Sequence, residues 1–252
     1  MTDRSIEAHV ADVRDGGERL ATAVEAVPPD ARIPTCPDWT LRDLARHTGG
    51  VHRWATLHVV EARTELADVE LEELAGGWPD DAGLADWLRD GVSDLADALA
   101  TAPSDLECVT FLPAPSPLAF WARRQAHETT IHRVDAERAG GGATPIDPAL
   151  AADGVGELLF GFASRPRKLL ADEERILHLH ATDTGDDWTI RVGPDGGEVA
   201  SSAPSRSDGR VKAPAPDLYL LLWNRRPADG LEVEGDAAVL ADWSQRVRVR
   251  WS

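Results

Sequence analysis

"AHETTIHRVDAE", residues 126–137, sets a glutamate and a histidine four apart, Glu128 and His132, in a stretch free of proline and glycine. Read as a helix, the segment extends back to Pro117, a residue suited to a first helical turn, and forward to Ala139, where "AGGGATP" stops it. In that register Leu118, Trp121, Gln125, Glu128, His132 and Asp135 recur every three or four residues and share one stripe. Leu118 and Trp121 turn the stripe inward. A carboxylate buried there alone is costly, and a cation or a charged partner removes the cost.

Working outward, a second helix supplies a candidate partner. Thr40 opens it with "TLRD", a capping-box-like pattern, and it is expected to run to about Thr64 on the stripe Leu41, Leu44, Thr48, Val51 and Ala55. His47 lies on or beside that stripe. Two ligands from one helix and one from a facing helix can meet in a bundle core. His47, Glu128 and His132 would suit Zn²⁺ or another divalent first-row metal, with a coordination position left open. A Glu–His ion pair on a wet face explains the same spacing.

The remaining helical pattern covers residues 5–27, interrupted at Gly16-Gly17, then 81–101 and 147–163, with Pro-rich loops at 28–39 and 103–117. After "SRPRKLLADEE", read as a linker, the period changes to two. "RILHLHATD", "DWTIRVG" and "GRVKAPA" read as an antiparallel meander, "APDLYLLLWNRR" as a helix, "LEVEG" as a strand, "DAAVLADWSQ" as a helix and "RVRVRW" as a closing strand. The fold class is therefore mixed: an all-α bundle over residues 1–165, then a small α+β domain with an antiparallel sheet over 172–252.

Composition narrows the function. A net charge of −18 argues against nucleic acid as a partner, because phosphate binding needs a basic face. No apolar run approaches the ~18 residues of a membrane span. The polar start "MTDRSIEAHVADVRDGGERL" lacks the basic and apolar regions of a signal peptide, so the cytoplasm is the expected compartment. The two cysteines, Cys36 and Cys108, form no metal-binding or redox spacing and are expected reduced. His52 lies about 140° round from His47 at ~100° per residue and is expected off the stripe. His58, His127, His178 and His180 read as ordinary surface or hydrogen-bonded histidines. "HETTIH" has four residues between its histidines rather than three, so it fails as a zinc-protease motif.

"PTCPDWTLRDLARHTGGVHRWA" (34–55) and "RRQAHETTIHRVDAE" (123–137) resemble the two signatures of the mycothiol-dependent maleylpyruvate isomerase family, a group of DinB/YfiT-like metal-binding four-helix bundles. "APDLYLLLWNRRPADGLEVEGDAAVLADW" (215–243) looks like that family's C-terminal domain, similar in fold to sterol-carrier proteins. The resemblance implies a divalent metal, usually zinc, held by His47 (eight residues after Trp39), Glu128 and His132. It implies mycothiol as thiol cosubstrate and an anionic substrate bound by an arginine, for which Arg225 of "WNRR" is the nearest match. Arg225 also reads as a helix C-terminal charge that complements the dipole.

The expected enzyme activates a low-molecular-weight thiol for attack on a small electrophile, giving isomerisation or S-transfer. Gln125, on the ligand stripe, is the candidate to orient a substrate or a metal-bound water. Asp135 is either an outer partner of His132 or solvent-exposed. Monomer and homodimer both remain open, as do two other functions. One is metal-water hydrolysis, for which no general base can be named. The other is a non-enzymatic, metal-stabilised binding or sensor module.

Overall fold

The structure, a computed structural model, describes residues 4–164, 169–236, 238–240, 243 and 247. The chain divides into two compact units, residues 5–144 and residues 145–252 together with 1–4.

In the first unit the Ser5 side chain accepts from Ala8 N–H and starts α1, Ile6–Ala26. The helix runs unbroken through Gly16-Gly17, against the expected interruption. The two glycines are points of close approach: a Cβ on Gly17 would lie 2.4 Å from Val92 Cγ2, and one on Gly16 3.3 Å from Thr129 Cγ2. The Pro-rich loop that follows is more ordered than expected. It forms a small antiparallel ribbon of β1 (Arg32–Ile33) and β2 (Cys36–Thr40).

Thr40 then caps α2, Leu41–Val60, and both halves of the capping box with Asp43 are present, as "TLRD" suggests. The helix ends a turn before Thr64, with Ala62 turning the chain at φ 49°. A one-turn helix, α3 (Leu71–Leu74), precedes α4 (Leu84–Thr101). Finally α5, Pro117–Ala139, is capped by Ser116 and has the boundaries its sequence predicts. The long helices pack in a circuit, α1 on α5, α5 on α2, α2 on α4 and α4 on α1. Leu20, Ile33, Leu41, Leu44, Leu84 and Leu88 fill one end of the core, with Trp39 and Trp87 packed against them.

The second unit begins with α6 (Pro148–Glu157), which widens into a π-helical segment, Leu158–Ala163. Its sheet has the order β5-β4-β3-β6-β7, with β3 Arg175–Ala181, β4 Asp187–Val192, β5 Glu198–Ala200, β6 Gly209–Ala213 and β7 Glu232–Gly235. Three neighbouring pairs are antiparallel as expected, while β6 lies parallel to β3, so the sheet is mixed. Gly209, Val211 and Ala213 are buried in strict alternation, the period that marks β6 as a strand. The next helix, α7 (Ala215–Leu222), packs on α6 and stops before the arginines, with Asn224 at φ 57°. Of the expected last helix, residues 238–240 and 243 are helical; the expected closing strand lies, apart from Val247, outside the described residues. No helix among the described residues is long and apolar enough to cross a membrane.

Candidate metal centre

The helix that carries Glu128 and His132 is unusual in what it buries. Every residue from Arg124 to Ala136 is buried, including arginine, glutamine, histidine, glutamate and aspartate. A polar helix enclosed on all sides must have its charges and donors answered from nearby.

Glu128 is the hub. Its Oε1 lies 3.0 Å from His132 Nε2, one turn along α5, and 3.4 Å from His47 Nε2 on α2. One ligand atom from each of the three residues lies within 4.8 Å of the others. The structure thus brings together the three residues read from the sequence. Among the described residues no fourth histidine, cysteine or carboxylate joins the group. His47 sits at the half-buried rim of α2, with 14% of its side chain exposed against 3% for both Glu128 and His132, so the group opens on the His47 side. The donor set, two imidazole nitrogens and a carboxylate oxygen, fits a zinc-like divalent cation.

The surroundings hold these groups in place. Glu128 Oε2 accepts from Arg124 Nη2 at 3.0 Å. Asp135 is buried rather than exposed, and its Oδ2 lies 3.5 Å from His132 Nδ1, a charged contact too long for a well-made hydrogen bond. Its Oδ1 accepts from Thr35 Oγ1 at 2.6 Å, which ties the β1–β2 ribbon to α5. Trp39 of β2 walls the site, its ring 4.9 Å from that of His47 and 6.4 Å from that of His132. Gln125 is buried, and its Oε1 has no hydrogen-bond partner among the described residues.

Charge follows this geometry. Burial pushes the His132 imidazole down, but the Glu128 carboxylate and Asp135 outweigh it and lift the pKa to about 9. Burial likewise raises Glu128, and His132, His47 and Arg124 together hold it well below the usual carboxylate range. A cation on the three ligands would replace the proton on His132.

Arg225 lies in the second unit, just past α7, where its Nη1 donates to the Trp223 carbonyl at 2.9 Å. His52, expected off the stripe, is fully buried on it. Its Nε2 is 2.9 Å from Thr129 Oγ1, and burial, partly opposed by Glu128, pushes its pKa down to about 3. Its offset from His47 does not take it off the buried face, because α2 buries Leu44, Thr48, His52 and Ala55 and leaves His47 at the edge of that face. His58 and His127 are also buried, while His178 and His180 share Asp187. Both cysteines are half-buried and neither is in a disulfide.

Sequence reasoning overlooked Arg124, Trp39 and Thr35 as site residues. The i, i+4 spacing of Arg124 and Glu128 was the available signal for the first. The other two depend on the ribbon's pairing, which leaves no local signal.

A helical unit with a two-histidine, one-carboxylate cleft, joined to a unit with a mixed five-stranded sheet, defines the class of protein. Residues 13–137 match the "Mycothiol maleylpyruvate isomerase N-terminal domain" and residues 149–242 the "MDMPI C-terminal domain". The chain belongs to the mycothiol-dependent maleylpyruvate isomerase family. Among solved structures it is similar to the mycothiol-dependent maleylpyruvate isomerase, with 17% identity and a TM-score of 0.65 over 92% of this chain and 94% of that one. A histidine-to-alanine variant of that enzyme matches with 17% identity and a TM-score of 0.63, covering 92% and 94% of the two chains. No curated protein matches the sequence.

Proposed function

We propose that this chain is a metal- and mycothiol-dependent isomerase of a small unsaturated acid of the maleylpyruvate type. The observation that carries the reading is the convergence of His47, Glu128 and His132 within 4.8 Å, open on one side, in a chain matched by the family at both ends. A divalent cation, zinc by the donor set, would be held by these three residues. When bound, it would supply deprotonation of a thiol that is otherwise only a few per cent thiolate at pH 7, with a free pKa of ~8.5.

The protein residues do the rest. Asp135 sets its carboxylate 3.5 Å from the outer nitrogen of His132 and favours that ring orientation by charge. Trp39 gives the opening an apolar wall that excludes water from one side. Gln125 carries a buried acceptor without a partner, suited to a donor of the incoming thiol or substrate. Arg225, in the second unit, is proposed as a carboxylate-binding residue, an ion-pairing role that a planar guanidinium fills with two parallel donors.

In the reaction, the sulfur adds to a carbon of a double bond conjugated with a carbonyl. The former double bond rotates, and expulsion of the sulfur restores it with changed geometry. Atoms and electrons balance without an oxidant. If the adduct were released instead, the same site would perform S-transfer.

Purified protein should carry about one divalent metal per chain, lost in His132→Ala, and should convert maleylpyruvate only when mycothiol is added. A thermal-shift comparison of mycothiol with glutathione and cysteine names the thiol. Full metal occupancy in His132→Ala, or no response to any of the three thiols, would overturn the proposal.

A further inference from the structure

The two oxygens of Glu128 have different partners. Oε2 takes a hydrogen bond from Arg124 Nη2 at 3.0 Å, while Oε1 faces His132 Nε2 at 3.0 Å and His47 Nε2 at 3.4 Å. Arg124 lies one turn before Glu128 on α5 with only 1% of its side chain exposed, so water does little to weaken or replace this contact. The difference matters because a carboxylate can hold a cation through one oxygen or chelate it through both. Chelation takes up a second position around the cation. In a site with three protein ligands, the second oxygen crowds the remaining position, the one a sulfur would need.

We propose that Arg124 is a positioning residue: by holding Oε2 it restricts Glu128 to a single donor oxygen and keeps a coordination position free for the thiol. The inference rests on the reading of the cleft as a thiol-binding metal centre. A second effect acts in the same direction. The guanidinium places a fixed positive charge one turn from the site, and its charge never titrates away in a protein. Binding of an anionic sulfur is therefore favoured over a second carboxylate oxygen that is already engaged.

Cobalt(II) is the probe, because four-coordinate cobalt absorbs visible light much more strongly than five- or six-coordinate cobalt. The cobalt-loaded protein, before any thiol is added, should show the strong band. In Arg124→Met, cobalt should stay at one per chain while the band weakens, because a second carboxylate oxygen beside the bound water raises the coordination number to five. The mycothiol dissociation constant should rise about tenfold or more, the scale on which outer partners of metal ligands act. Arg124→Lys keeps the charge and a donor and should restore the strong band.

A weak band in the unsubstituted protein would overturn the proposal, as would an unchanged band and thiol affinity in Arg124→Met. Loss of cobalt from folded Arg124→Met would also overturn it, since Arg124 would then support metal binding instead of limiting it. Should Arg124→Met fail to fold, the band of the unsubstituted protein and the thiol affinity of Arg124→Lys decide the matter. Failure of the unsubstituted protein to take up cobalt would remove the metal-centre reading itself, a result distinct from all of these.

Discussion

Replacing Glu128 with glutamine keeps the shape of the site and removes one charge. In the metal-free protein that charge answers two buried cations, Arg124 and His132, each with its contact at 3.0 Å and with 1% and 3% of the side chain exposed. The His132 part can be worked from its pKa, about 9 against an ordinary histidine value of 6.5. Each unit is about 1.4 kcal/mol, so this histidine contributes about 3 kcal/mol. The folded value is the raised one, so the contribution is complete below pH 6.5 and is lost as pH rises through 9. Arg124 would lose its counter-charge as well, and breaking a buried charge network from one side costs about 3–5 kcal/mol in all, the His132 share included.

Chelator-treated Glu128→Gln should therefore unfold at lower urea, destabilised by about 3–5 kcal/mol at pH 6.5. The assay is the far-UV helix signal, which comes mostly from α1, α2, α4 and α5. From pH 6.5 to 9.5 the unsubstituted metal-free protein should lose about 3 kcal/mol, the His132 share, and the variant should show little of that slope. A variant within about 1 kcal/mol of the parent, or a parent flat across that pH range, would refute the charge balance argued here.

Three further outcomes follow from the fold. His52, buried and held near a pKa of about 3, should make the first unit weaker below pH 6.5, because the unfolded chain takes the proton first. The slope is about 1.4 kcal/mol per pH unit, and His52→Asn should flatten urea midpoints measured between pH 6.5 and 5. In Gly49→Ala the new Cβ would meet Trp87 Cζ3 at 2.1 Å, so the melting temperature should fall with a cost of about 1–3 kcal/mol, while a neutral result would show that the ring can shift. Thr40→Ala removes the capping box of α2 and should cost about 1 kcal/mol in urea denaturation, whereas Thr40→Ser should cost much less.

Much of the first unit was readable from local signals. Proline at its start and glycines at its end delimit α5, and a threonine–aspartate pair starts α2. The 3–4 spacing of Leu118, Trp121, Glu128 and His132 puts the ligands on a common line. What escaped was non-local. The β1–β2 ribbon is too short to show a period, and it reaches the site through a hydrogen bond from Thr35 to Asp135, 100 residues away, and through the ring of Trp39. Strand alternation located β3 and β6 but says nothing of their parallel pairing. His52 was misplaced because glycines and a histidine, not large apolar residues, occupy part of the buried face of α2.

The enclosure of α5 has a consequence for how the chain tolerates change. An amphipathic helix accepts substitution on its wet side, so a mutational scan along it gives a comb with a tooth every three or four residues. From Arg124 to Ala136 there is no wet side. A scan for folded protein should give an unbroken trough there, deepest where charge meets charge, so a new activity has to arise by changing the ribbon and the rim of α2, since the stretch that carries Glu128 and His132 has no position to spare.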